Sequence, residues 1–140
     1  MEHFPIHDLF VKALEKHDAG DLTRLPVLSF DDHILRQFGF VEAIWLSPNF
    51  MTDMVLREIA DEVWALITGQ VTFTWHDLRS TSPTFGSSFQ LTCEEPTLVL
   101  VPFGVEFSQR TNSEPAFLLR FSTHPENDSE YPQSKNRSVT

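Results

Sequence analysis

The sequence predicts an all-β domain, a sandwich or barrel of short strands. From about residue 27 onward, apolar runs of strand length are separated by turn residues at regular spacing. In one run Val71, Phe73 and Trp75 alternate with Thr72, Thr74 and His76, the two-faced pattern of a strand packed on one side. Helical periodicity is confined to the N-terminal stretch. With 140 residues, 41% of them hydrophobic and 13 of them Phe, the chain is long and apolar enough for a single domain around one substantial core.

Taken in order, Ile6, Leu9, Phe10, Ala13 and Leu14 recur at helical spacing, and Gly20 and Pro26 supply stops. Residues 1–26 are therefore expected to form an N-terminal helical extension that braces the main body. Residues 27–124 form the β domain, with strands expected over 40–47, 54–58, 62–68, 70–78, 87–92, 97–102, 105–111 and 116–122. Gly69-Gln70, between two of the strongest runs, reads as a tight hairpin. From Pro125 the stretch PENDSEYPQSKNRSVT has one aromatic and little to bury, so 125–140 is expected to be a flexible tail with Tyr131 as its one anchor.

The charge balance narrows the function. A net charge of −10, from 20 acidic and 10 basic residues, argues against a protein that grips a nucleic-acid backbone, which needs a basic stripe. It leaves room for a nucleotide ligand held by one or two local arginines. The lone Cys93 has no partner for an internal disulfide or a thiolate metal site. The N-terminus lacks a basic segment followed by a long apolar run, and no stretch approaches 18 apolar residues, so a soluble, cytoplasmic protein is expected. The sequons at Asn127 and Asn136 are then chance matches.

Three segments carry pattern beyond this. Asp61–Gln70, DEVWALITGQ, has a Glu, six residues, then a turn Gly. Val101–Phe107, VPFGVEF, contains a Pro-x-Gly turn. Between them, His76–Gly86 reads HDLRSTSPTFG. The first two resemble the two motifs of the cupins, small jelly-roll barrels. DLR with SPTFG, lying between a turn Gly and a Pro-x-Gly, resembles the corresponding loop of the dTDP-4-dehydrorhamnose 3,5-epimerase branch of that superfamily. The resemblance spans about residues 40–122 and implies a cupin-like jelly-roll barrel that pairs as a homodimer through sheet edges.

The departures from that pattern bear on chemistry. Metal-binding cupins supply His-x-His before the Glu and a His three residues after the Pro-x-Gly glycine. Here the first region reads MVLREIADE and the second position is Phe107. One carboxylate, Glu62, does not hold a transition metal, so no metal and no cofactor are expected. The epimerases use a His to abstract a proton beside a ketone, and neither of that family's histidine segments is present. Where that family has a Lys seven residues before the turn Gly, this chain has Glu62.

The candidate site follows from the same register. Glu62, Trp64 and Leu66 share one strand face, which in a cupin lines the barrel mouth. Glu62 is a candidate base if an apolar pocket raises its pKa, and His76 is the other candidate. Trp64 is core or a stacking surface for a ring. Arg57 and Gln109 border the same cavity in a cupin and are candidate ligand-binding residues, Arg57 having as its alternative a surface pairing with Glu58 or Asp61. Arg79 has the planar fork to clamp a phosphate, or to tie down its own loop. His3, His7, His17, His33 and His124 form no ligand pair and default to structural or solvated roles.

Three functions remain open on these residues. One is a metal-free protein that binds a nucleotide-sugar or carbohydrate without the usual epimerase base. Another is a sugar epimerase or isomerase whose base has moved to Glu62 or His76. The last is a structural or regulatory dimer whose barrel is plugged, Phe107 and Trp64 being large enough to fill it. Among partners a small-molecule ligand and a second copy are expected, with no nucleic acid and no membrane.

Overall fold

The structure, a computed structural model, describes residues 4–125. Among them are ten strands: β1 (Val11–Ala13), β2 (His17–Ala19), β3 (Leu22–Arg24), β4 (Phe40–Leu46), β5 (Glu62–Thr68), β6 (Val71–Asp77), β7 (Ser88–Cys93), β8 (Thr97–Val101), β9 (Val105–Thr111) and β10 (Ala116–Ser122). A five-stranded sheet runs in the order β1-β8-β5-β10-β4, and a three-stranded sheet runs β7-β6-β9. All pairings are antiparallel. Residues 126–140, with Tyr131 and most of the expected tail, lie outside the described residues, as does His3.

The two sheets close face to face, because each strand sends alternate side chains between them. Trp64, Leu66, Val99 and Leu118 of the larger sheet meet Phe73, Trp75 and Phe107 of the smaller, all buried. Aromatic rings carry much of this contact: Phe107 packs on Phe73 with centroids 5.6 Å apart, on Trp75 at 5.5 Å and on Trp64 at 5.9 Å. The indole N–H of Trp75 donates across the barrel to the carbonyl of Leu100 at 3.1 Å. The other face of the larger sheet, with Val63, Ala65 and Leu98, is covered by the N-terminal segment through Phe10, Leu14, Leu25, Leu28 and Leu35.

That segment corrects the sequence reading: the N-terminal helical extension is absent. Residues 11–13 form an edge strand on β8, with Val11 opposite Val99, and Gly20, at φ +67°, turns the short β2–β3 hairpin. The middle of that stretch alternates as a strand does. Leu9 and Val11 reach the inner core while Phe10 turns to the outer cluster, an alternation of period two. Asp8, at φ +70°, blocks helical continuity, and the β8 edge supplies backbone partners that an isolated helix would have to find within itself.

Two further expectations change. Gly69-Gln70 is not a hairpin, since β5 and β6 belong to different sheets; it is the corner where the chain crosses between them. A Cβ at Gly69 would lie 2.5 Å from the Pro115 carbonyl, and φ is +97° there, so the corner requires glycine. Residues 54–58 form no strand. The segment 49–57 instead runs along β9 as a flap, through isolated bridges from Met51 to Arg110 and from Val55 to Phe107. The other strands predicted from sequence fall within a residue or two of those observed.

Candidate functional site

One end of the barrel gathers charge. Glu62, the first residue of β5, is 4% exposed and points inward with Trp64. Its Oε2 accepts from Nε of Arg57 at 2.7 Å and from Nε and Nη2 of Arg120 at 3.0 and 2.7 Å. Its Oε1 accepts from the indole N–H of Trp64 at 3.0 Å. Arg120 is itself buried on β10, and its Nη1 donates to Glu42 of β4, the most exposed carboxylate of the group. Its guanidinium lies over the ring of Phe40 at 4.9 Å and near that of Trp64 at 5.9 Å. Strand register builds this cluster, because Arg120 faces Trp64 on one side and Glu42 on the other.

The electrostatics follow from the geometry. Burial works to raise the pKa of Glu62, but the charges and hydrogen bonds of Arg120 and Arg57 outweigh it and hold the carboxyl below its ordinary value of 4.5. The expectation of a raised pKa there is corrected: the pocket is buried without being apolar, and the carboxylate is fixed as an anion. Burial likewise opposes the charge on Arg120, and Glu62 and Glu42 outweigh it, raising its pKa.

Arg57 therefore pairs inside the barrel with Glu62, and Asp61 takes Arg36 at 3.1 Å instead. Gln109 faces inward on β9 beside Phe107 and is 4% exposed; its Oε1 accepts from the hydroxyl of Thr52 on the flap at 3.2 Å. Trp64 sits between the charged cluster and the aromatic core. Arg57, Glu62, Trp64 and Gln109 are all buried, and Arg57 is so without lying on a strand.

His76 does not join them. It lies on the outer face of the smaller sheet, half-buried, with Nδ1 3.2 Å from Glu106 Oε1. Strand alternation that sends Trp75 inward sends His76 outward.

Arg79 does not join the cluster either; it bonds to Asp77, and with that HDLRSTSPTFG acquires a structural account. Asp77 is fully buried and accepts from Arg79 N, Nε and Nη2, from Ser82 Oγ at 2.7 Å and from Thr84 Oγ1 at 2.7 Å. Burial alone would raise its pKa, but these donors, Arg79 first, hold it far below the carboxylate range. Arg79 also donates to the carbonyl of His7, and Thr84 accepts from His7 N, so the loop pins the N-terminal segment. The Pro-x-Gly turn packs on the same arginine: a Cβ at Gly104 would meet Arg79 Cγ at 2.4 Å, and Gly104 N donates to the Arg57 carbonyl at 2.8 Å. The two motifs are thus one bonded assembly behind the charged cluster.

Sequence reasoning missed Arg120 and Glu42. The signal was present in AFLLRFS, where an arginine interrupts an apolar strand on the same face as Leu118. Among the described residues no three His, Cys, Asp or Glu side chains gather as a metal site, and no helix is long and apolar enough to cross a membrane.

No protein-family model matches the sequence. A curated relative does: over 120 residues, 81% of this chain and 77% of the relative, it is 31% identical to the spore coat polysaccharide biosynthesis protein SpsL of Bacillus subtilis. The chain belongs to the SpsL family. Its fold is shared with solved dTDP-sugar enzymes. A dTDP sugar isomerase from Desulfovibrio desulfuricans G20 superposes with a TM-score of 0.84 at 21% identity, over 94% of this SpsL-family chain and 86% of that one. The dTDP-4-dehydrorhamnose 3,5-epimerase of Elizabethkingia anophelis gives 0.78 at 15% identity, over 93% and 76%. The 3'-monoepimerase ChmJ of Streptomyces bikiniensis, in complex with dTDP-quinovose, gives 0.81 at 13% identity, over 94% and 71%. This SpsL-family member thus shares the fold of the dTDP-sugar epimerases and isomerases, the group whose loop DLR and SPTFG resemble.

Proposed function

We propose that this SpsL-family protein binds a nucleotide-sugar at the charged end of its barrel, in the cytoplasm, as a step in polysaccharide biosynthesis. The observation that carries the reading is the buried Arg57–Glu62–Arg120 cluster beside Trp64 and Phe40. Planar charged groups set against aromatic faces suit a polar ring, with hydroxyls for the fork and C–H edges for the indole. The relative's role in spore coat polysaccharide biosynthesis, and the dTDP-sugars bound by the structural neighbours, support the ligand class.

The reading is epimerase-like in scaffold and ligand, and it places binding ahead of proton transfer. Glu62 is ion-paired and a weakened base, and His76 faces away from the barrel. A metal has no place in it, because both oxygens of Glu62 are engaged by Arg57, Arg120 and Trp64, and Phe107 stands where a third ligand would be needed. We further infer a homodimer through the β4 edge. Val41 and Trp45 stand exposed on that strand, Trp45 at 74% and packed on Phe117 at 5.0 Å, and an uncovered edge strand invites pairing with a second copy.

Thermal shift with dTDP, dTDP-xylose and free sugars tests the reading. A ligand at 100 times its Kd should add about 2.7 kcal/mol of stability. A plugged barrel is the second reading, favoured by the packing of Phe107 on three aromatic rings, and it predicts no stabilisation by any of them. Solvent deuterium should enter dTDP-4-keto-L-rhamnose no faster than without protein; incorporation would restore an epimerase with a relocated base.

A further inference from the structure

Gln109 holds a buried polar arrangement that hydrogen bonds within the described residues leave incomplete. Its side chain is 4% exposed and lies on the inward face of β9, in register with Phe73 and two residues beyond Phe107. The hydroxyl of Thr52 accepts from Gln109 N at 3.0 Å and donates to Gln109 Oε1. Among the described residues Nε2 has no hydrogen-bond partner.

Turning the amide over does not remove the deficit. The Thr52 hydroxyl accepts the backbone N–H and gives its one proton to Oε1; a flip could use its second lone pair, but would leave both that proton and Oε1 unpartnered. A buried donor without an acceptor is destabilising and uncommon in folded proteins.

We infer that the Nε2 amide of Gln109 is a specificity-determining donor, satisfied by a neutral oxygen of the bound ligand. The inference rests on the nucleotide-sugar reading above and adds to it which part of the ligand lies deepest. Gln109 lies two residues farther along β9 than Phe107 from the Gly104 turn that bonds Arg57, and Arg110 beside it is exposed. With aromatic rings on the neighbouring inward positions, this subsite suits an uncharged acceptor and not a phosphate. A sugar hydroxyl or keto oxygen fits it, and so does a carbonyl of the nucleobase.

The test compares wild type, Gln109→Met and Gln109→Glu, by calorimetric titration with dTDP and with dTDP-xylose and by the Tm of each free protein. Both variants remove the donor; Glu keeps an oxygen for Thr52 should Met fold poorly. The expected result is a Tm for at least one variant within about 4 °C of wild type, with an affinity at least about ten-fold weaker. Loss confined to dTDP-xylose places the oxygen on the sugar, and equal loss on both probes places it on the nucleotide; either supports the donor role. Unchanged affinity in a folded variant overturns the inference while leaving the ligand reading intact, as it would if a trapped water satisfied Nε2. Failure of both variants to fold makes Gln109 structural and overturns it too. Failure of wild type to bind either probe overturns the ligand reading itself.

Discussion

Arg120 and Glu62 form a two-point ion pair across adjacent strands, Nε and Nη2 of one at 3.0 and 2.7 Å from a single oxygen of the other, with both side chains under a tenth exposed. Arg57 reaches the same oxygen from the flap. Three elements that are distant in sequence are therefore tied to one atom, and that linkage holds the flap, β5 and β10 in fixed relation around the barrel mouth.

Removing one partner should cost more than the pair contributes. Arg120→Met leaves Glu62 buried with one guanidinium fewer and Glu42 without its partner. The expected loss is about 3–5 kcal/mol by urea denaturation. Adding Glu62→Gln to Arg120→Met should recover part of it, and a double-mutant cycle that finds strict additivity would contradict the coupling described here.

Acid should weaken the fold through the same groups. Glu62 and Asp77 both have folded pKa values below their ordinary 4.5 and 3.8, so each is more readily protonated in the unfolded chain. Their contribution is complete above those ordinary values and is lost as pH falls through them toward the lower folded values. Denaturation midpoints measured between pH 7 and pH 3 should be flat at first and fall below about pH 4.5, and the fall should be shallower in Glu62→Gln.

Asp77→Asn should loosen the HDLRSTSPTFG loop while sparing the sheets. Asn keeps one acceptor oxygen but loses the charge that Arg79, Ser82 and Thr84 converge on. A cost of about 1–3 kcal/mol is expected. Limited proteolysis should cut within residues 78–87 in the variant and not in wild type, and the N-terminal segment bonded through His7 should lose amide-exchange protection with it.

Trp45→Arg tests the inferred dimer. The side chain is exposed and packs only at the sheet surface, so the monomer should stay folded, within about 0.5 kcal/mol of wild type. Light scattering after gel filtration should show a dimer for wild type and a monomer for the variant. A wild type that stays monomeric at millimolar concentration would remove the β4 edge as an interface.

Most strands were legible in the sequence because each alternates apolar and polar positions along its own length, which needs no knowledge of the rest of the chain. FVEAIWL and VTFTWHD declare two faces locally, and DLR with SPTFG marked the scaffold. The N-terminal segment was misread because so few apolar residues at helical spacing do not exclude a short strand; Leu9, Phe10 and Val11 alternate between the two clusters, and the free edge of β8 supplied the pairing. Gly69 declared a turn, but whether the chain folds back on itself or crosses to another sheet depends on what β5 and β6 pair with, and those partners lie farther along the chain.

By itself the sequence determined an all-β domain, most of its strands, the shared face of Glu62 and Trp64, and a resemblance to the dTDP-sugar epimerases whose fold the structure shares. Only the tertiary structure decided the chemistry of those positions. Glu62 is an anion held by Arg57 and Arg120, not a base in an apolar pocket, because β10 and the flap bring two guanidiniums to it. A pKa depends on the charges within a few ångströms, and neighbours across a sheet are set by pairing register, which no local stretch of sequence contains.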